Sequence, residues 1–266
     1  MSEKIKSEGK CLFCSKTFAK AGINRHLATC LKEKIVSGKS GKSFFVKIET
    51  HKSWKNSPYF LSLWIDGEAV MGDLDIFLRQ IWLECCGHMS TFRKPQKRGG
   101  GYGIFFDSMD ALEHLEQGDV GKYEQMMEEI DGSVPMRRKI EDVLHKELVL
   151  EYEYDFGSST YLTLTVIDEY SVEADNDIVL LSRNEPPEIV CDICKKVPAT
   201  QICSVCIGYE DEDVFCDKCA KIHAKKCDDF ADYASMPVVN SPRMGVCGYV
   251  GGTIDTERDG VFVMKK

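Results

Sequence analysis

The sequence predicts an α+β fold, a β-grasp-like central domain flanked by two small cysteine-rich modules. Three observations predict it. Ten of the 13 cysteines stand in ligand spacing, in two clusters at opposite ends of the chain. Between the clusters, residues 43–184 carry strand-type alternation broken by one strongly helical stretch. Glu185-Pro186-Pro187-Glu188 then marks a boundary.

Each element follows in chain order. Residues 1–30 form the first module, with Phe18 and Ile23 placed between ligand pairs where a small finger keeps its apolar core. Residues 31–42 read as a flexible basic linker. Phe44, Val46 and Ile48 alternate with their neighbours, and Tyr59, Leu61, Leu63 and Ile65 do the same, so both runs are strands. Asp73 then offers an N-cap. Leu74, Phe77, Leu78, Ile81, Trp82 and Cys85 recur at helical spacing, and Gly87 offers a stop. Tyr102–Phe106 reads as a short strand, and residues 108–146 as short helices interrupted by Gly118, Gly121, Gly132 and Pro135. Leu148–Tyr154 and Tyr161–Tyr170 are strands turning at Gly157-Ser158-Ser159, and Asp177–Ser182 is a last strand. Residues 189–228 form the second module, and residues 229–266 a turn-rich tail that docks on the body.

The chain has 266 residues and is 43% hydrophobic, enough for a medium core. No apolar run approaches the roughly 18 residues of a membrane span. The opening MSEKIKSEGK lacks the apolar stretch of a signal peptide. Paired cysteines without an export signal point to a reducing, cytoplasmic setting rather than a disulfide scaffold. The net charge of −9 is unevenly spread. Residues 1–42 hold ten Lys and Arg against three acids, an excess of seven positive charges, which leaves −16 on the remainder. A basic end on an acidic body suggests nucleic-acid contact through residues 1–42, mostly non-specific in type.

Cys11-x2-Cys14-x11-His26-x3-Cys30 supplies four ligands of the kind a tetrahedral zinc takes. The second module supplies Cys191-x2-Cys194, Cys203-x2-Cys206, Cys216-x2-Cys219 and His223-x3-Cys227. Cys216, Cys219, His223 and Cys227 recur at helical spacing. On a continuous helix, Cys216 and Cys227 would stand ~16 Å apart, too far for one zinc with ~2.3 Å bonds. The two halves therefore serve different metals. The expected cross-brace is Cys191, Cys194, Cys216 and Cys219 for one zinc, and Cys203, Cys206, His223 and Cys227 for the other. Three structural zincs per chain follow.

The first module resembles a C2HC version of the C2H2 finger, one residue short in its spacer. The interleaving in the second resembles B-box and MYND-type modules, which implies protein binding more than DNA binding. Glu210, Asp211, Glu212 and Asp213 between its ligand pairs agree. The central segment VLEYEYDFGSSTYLTLTVIDEY, with LDIFLRQIWLECC upstream, resembles the Ri-plasmid ORF-three-like family, also met as an insertion-element passenger family. Tyr152-Glu153-Tyr154-Asp155-Phe156-Gly157 is its most specific piece, and the tail Pro237–Tyr249 matches some members closely. Members often show His-x-His-x-Phe after the helix; this chain has His88-Met89-Ser90-Thr91-Phe92, with one histidine. The resemblance implies an α+β domain from a mobile-element setting and implies no particular reaction.

Closed four-ligand sites leave no open position for chemistry, so the reading is a multi-zinc binding or adaptor protein, with protein contacts and possible nucleic-acid contacts, and leans against an enzyme. The alternative is an enzyme using a non-ligand cysteine, Cys247 or Cys86 with His88. Three further groups are candidates. Glu151, Glu153 and Asp155 are possible paired carboxylates. The basic loop from Arg93 to Arg98, followed by Gly99–Gly101, is a possible phosphate contact. Arg243, Cys247 and Tyr249 are a possible site in the tail.

Overall fold

The computed structural model describes residues 6–36, 38–54, 56–95, 101–208 and 212–259. Its centre is a seven-stranded sheet in which every pairing is antiparallel. Two short strands, β1 (Glu8–Lys10) and β2 (Thr17–Ala19), lead into helix α1 (Lys20–Ile35). Then come β3 (Ser40–Thr50), β4 (Phe60–Asp66), helix α2 (Met71–Leu78), β5 (Ser90–Arg93), helices α3 (Gly101–Glu116) and α4 (Val120–Asp131), and β6 (Ser133–Val134). A short helix α5 (Ile140–Val143), β7 (Val149–Tyr154), β8 (Thr160–Val172) and β9 (Ile178–Arg183) complete the body. The strand order is β6-β5-β7-β8-β3-β4-β9.

Both faces of the sheet are covered, which explains why β4 is buried at every position. Side chains alternate across a strand, so each face receives its own set. Phe44, Val46, Ile48, Leu61, Leu63 and Ile65 meet Leu74, Leu78, Ile81 and Trp82 from α2 and the turn after it. Phe45, Phe60 and Trp64 face the other way, against Ile23, Leu27 and Leu31 of α1.

That second layer corrects the expected linker. Residues 31–35 continue α1, and β3 has begun by residue 40. The reason is apolar periodicity: Ile23, Leu27 and Leu31 lie at spacings of four and are fully buried, so the helix must continue to place Leu31 on the sheet. The first module is therefore part of the body's packing. Leu27→Ala should destabilise the whole body by about 2–5 kcal/mol, the usual cost of emptying a buried leucine site. A denaturant midpoint equal to that of the parent chain would show that the finger packs independently.

Other boundaries shift for local reasons. Helix α2 starts at Met71, and Asp73 lies in its first turn, accepting the Val70 backbone N–H at 2.9 Å. The helix then widens into a π turn over Arg79–Leu83. Tyr102–Phe106 lies within α3 rather than in a strand; five apolar residues cannot by themselves distinguish the two.

The second module holds a three-stranded sheet, β11-β10-β12, made of β10 (Gln201–Cys203), β11 (Val214–Phe215) and β12 (Ser235–Pro237), with helix α6 (Asp217–His223). Because β12 pairs with β10, the module runs past residue 228 and takes the start of the tail. The rest of the tail lies along the body. Ser241 Oγ donates to the Trp82 carbonyl at 2.7 Å, and the Thr253 N–H donates to the Gln80 carbonyl at 2.6 Å. A π turn loosens its own hydrogen-bond ladder, and here the tail takes up the carbonyls of that turn. Gly252 passes so close that a Cβ there would lie 2.5 Å from the Ile81 carbonyl oxygen. Among the described residues, no helix is long and apolar enough to cross a membrane.

Candidate metal centres

Four sets of Cys and His side chains come together among the described residues, each with all its ligand atoms within 4.8 Å of one another. The first is Cys11, Cys14, His26 and Cys30. Cys11 and Cys14 sit in the turn between β1 and β2, where the Ser15 N–H donates to the Cys11 carbonyl at 2.8 Å and Ser15 takes a left-handed φ of 61°. That tight turn points both thiols the same way. His26 and Cys30 are one helical turn apart on α1, and His26 Nε2 lies 3.1 Å from Cys14 Sγ and 3.3 Å from Cys30 Sγ. Phe18 stacks on the His26 ring at 4.0 Å, which fixes its orientation.

The second module repeats the plan twice. Cys191, Cys194, Cys216 and Cys219 make one set, and Cys203, Cys206, His223 and Cys227 the other. The pairs interleave along the chain. The turn after Cys194 has the same form as the first: the Lys195 N–H donates to the Cys191 carbonyl at 2.9 Å, with a φ of 51° at Lys195. Helix α6 ends at His223, so Cys227 lies beyond it rather than on a continuous helix. The separation into two sets survives, because seven helical residues already carry His223 away from Cys216. His223 is held like His26: Phe215 stacks on it at 4.2 Å, and Phe230 meets its edge at 4.9 Å.

In the second module the surroundings pull the thiols in opposite directions. Burial works to raise the Cys191 thiol, but backbone N–H groups of Cys194, Cys216 and Ile193 outweigh it and bring it down to about 7. Burial pushes Cys206 and Cys219 up to about 12. A cluster of thiols cannot all ionise alone; a divalent cation that displaces their protons resolves the conflict. Soft sulfur with imidazole in sets of four suits zinc.

The fourth set gathers residues that the sequence offers only as alternative nucleophiles, Cys247 or Cys86 with His88, and adds Cys85 to them. It is Cys85, Cys86, His88 and Cys247. The first three follow the π turn, and Cys247 arrives from the tail. Arg243, picked out with Cys247, is fully buried and binds Asp155 Oδ2 at 2.5 Å. Tyr249 is buried in the docked tail.

The remaining candidates disperse. Glu151 lies 3.6 Å from His51, Glu153 accepts from Arg93 at 3.2 Å and from Ser159 at 2.7 Å, and Asp155 is held by Arg243. Three carboxylates with three different partners are not an acid–base pair. Residues 96–100 of the basic loop lie outside the described residues, as do Glu210 and Asp211. No protein-family model matches the chain, and no curated protein matches it.

Proposed function

We propose that this chain is a multi-zinc binding protein that works as an adaptor, with three structural zincs in the two modules and a protein partner docking on the second. The observation that carries the reading is the closure of the three predicted ligand sets, each four donors within 4.8 Å. Four protein ligands complete a zinc's tetrahedral shell and leave no place for a substrate. Membership of the central domain in the Ri-plasmid ORF-three-like family and its β-grasp-like character belong to the same reading; a sheet with α2 laid across one face supports the latter. A cytoplasmic setting fits thiols kept reduced for metal.

The docking face we assign is on the second module, where Val205, Ile222 and Tyr233 are exposed, Tyr233 at 65%. Apolar side chains on a module with little core of its own are better suited to a protein surface than to phosphate. The nucleic-acid reading keeps only Arg25 and Lys32 as exposed cations on α1 that pair with nothing described; Lys20 pairs with Glu49 at 3.1 Å and Lys34 with Asp175 at 3.4 Å.

Cross-linked capture with the full chain and with an Ile222→Glu, Tyr233→Ala variant tests the docking face. A partner held by the parent chain and lost by the variant, at unchanged zinc content, is the expected result. Equal recovery by both would place the partner elsewhere. Salt-sensitive retention on DNA that persists in an Arg25→Glu, Lys32→Glu variant would remove this face of α1 from any nucleic-acid role. Deleting residues 1–42 is not a clean test, because α1 covers one face of the sheet.

One observation favours the enzyme reading: Cys86 Sγ and His88 Nε2 lie 2.9 Å apart. Two others weigh against it. Asp155 approaches the same Nε2, at 3.6 Å, whereas a triad uses opposite ring nitrogens. The Cys247 thiol, then that of Cys85, push the Cys86 thiol up to about 12, opposite to what a nucleophile needs.

A further inference from the structure

We propose that Cys85, Cys86, His88 and Cys247 bind a fourth zinc, which clasps the C-terminal segment onto the central domain. The inference stands apart from the three-site reading, since it uses none of the same residues.

The distances carry it. Cys86 Sγ lies 3.7 Å from Cys85 Sγ and 3.6 Å from Cys247 Sγ. Tetrahedral zinc with ~2.3 Å bonds to sulfur separates its sulfur ligands by roughly 3.8 Å, whereas a disulfide needs ~2.05 Å. His88 Nε2 lies 2.9 Å from Cys86 Sγ and 3.2 Å from Cys247 Sγ, so the imidazole nitrogen faces the same point as the thiols. The donor chemistry, three thiols and one imidazole, is that of the first set and of the His223 set.

The accounting is complete. With this set included, all 13 cysteines belong to a four-donor cluster, and each of the three mixed clusters takes one histidine. Three cysteines from two distant segments, converging with a histidine, are poorly explained by packing. Cys86 and Cys247 are exposed, where a buried hydrophobe's role is not available to them.

The backbone is bent to present Cys247. Its φ is 49°, and Gly245 and Gly248 on either side take 77° and 71°. A left-handed cysteine between two left-handed glycines costs conformational energy that must be recovered elsewhere. Nearby charge also fits. Three thiolates around a divalent cation carry a net negative charge, and Arg243 Nη2 lies 3.6 Å from Cys85 Sγ while binding Asp155 Oδ2 at 2.5 Å. Outer partners of this kind orient ligands and balance a site.

The location assigns the role. The other three sets each close within a stretch of fewer than 40 residues. This one joins residues 161 apart in sequence, counting Cys86 to Cys247. It is therefore a tertiary cross-link, set beside the contacts of Ser241 with Trp82 and of Thr253 with Gln80.

The test is native mass spectrometry and elemental analysis of the full chain purified without added metal, joined to iodoacetamide footprinting. Four zincs per chain are expected, falling to three in His88→Ala and in Cys247→Ser. In the parent protein Cys85, Cys86 and Cys247 should resist alkylation until a chelator is added, and tail cleavage by protease should rise with their exposure. Because the footprint uses the parent chain, it decides the matter even where a variant does not fold. Three zincs with Cys247 freely alkylated at neutral pH would overturn the proposal, as would a Cys86–Cys247 disulfide in freshly reduced and repurified protein. Either result would leave the three-zinc reading intact, while loss of metal from the other sets alone would leave the clasp intact.

Discussion

Cys203→Ser should unfold the second module, residues 189–237, and leave the central sheet standing. Cys203 ends β10, the middle strand of the module's three-stranded sheet, and is fully buried. The module's main core cluster is Cys191, Cys203, Cys206, Phe215, Cys216, Cys219, Ala220, Phe230 and Ala234, of which five are cysteines. Strip the ligands from that cluster and two phenylalanines and two alanines remain. That remnant, even with the small second cluster of Ala199, Ile202 and Val238, cannot offset the ordering of nearly fifty residues, so on the proposed reading bound metal supplies the difference. Structural zinc contributes on the order of 10 kcal/mol or more per site, and serine does not replace thiolate as a ligand. The interleaved pairs share β10, β11 and α6, so losing one metal removes the frame of the other. Hydrogen exchange should show amides of 201–203 and 214–223 losing protection while those of β3, β4 and β8 keep it. Retained protection in the module would mean that its fold does not depend on metal.

The sequence made part of this arrangement legible, for physical reasons visible in single residues. Strand alternation at Phe44, Val46 and Ile48 marks a face because side chains in a strand point alternately to two sides. The same pattern in β4 concealed the second layer, because Phe60 and Trp64 read as the outward face when only one side is assumed covered. The grouping of eight Cys and His side chains into two sets was legible because metal bond lengths limit how far apart ligands can stand. The π turn was not, since Arg79–Leu83 carries the same apolar spacing as an ordinary helix. Nor was the fourth ligand set. Cys85 and Cys86 are adjacent rather than two residues apart, and Cys247 comes from a remote segment, so no local spacing announces them. One signal was available: three cysteines, Cys85, Cys86 and Cys247, remain after the spaced pairs are assigned, and of the four remaining histidines His88 stands two residues from Cys86.

Arg243→Met should cost about 3–5 kcal/mol, a loss that Asp155 decides. Arg243 is fully buried, donates to Asp155 Oδ2 at 2.5 Å, to the Ser158 carbonyl at 2.8 Å and to Thr160 Oγ1 at 3.0 Å, and lies over the Tyr154 ring at 4.8 Å. Asp155 sits at the turn between β7 and β8, itself buried, with a left-handed φ of 66° held by the Gly157 and Ser158 N–H groups on Oδ1. The Arg243 hydrogen bond, opposed by burial and helped by those two N–H groups, holds the Asp155 carboxyl down to about 2. An unfolded aspartate titrates near ~3.9, so the folded protein favours the charged form. The stability this contributes is whole above the unfolded value and is lost as pH falls through about 2. At pH 7 the carboxylate is charged, and methionine leaves it buried without its cation. Asp155→Asn removes that charge, keeps an acceptor for the turn and tolerates the left-handed backbone. The double variant should therefore be less destabilised than the two single losses added together, with a coupling of roughly 0.5–3 kcal/mol. Thermal unfolding at pH 7 measures it; acid titration would mix in protonation of the thiolate ligands. Strict additivity would mean that Arg243 holds the tail through its packing and its bonds to Ser158 and Thr160, with the ion pair contributing nothing of its own.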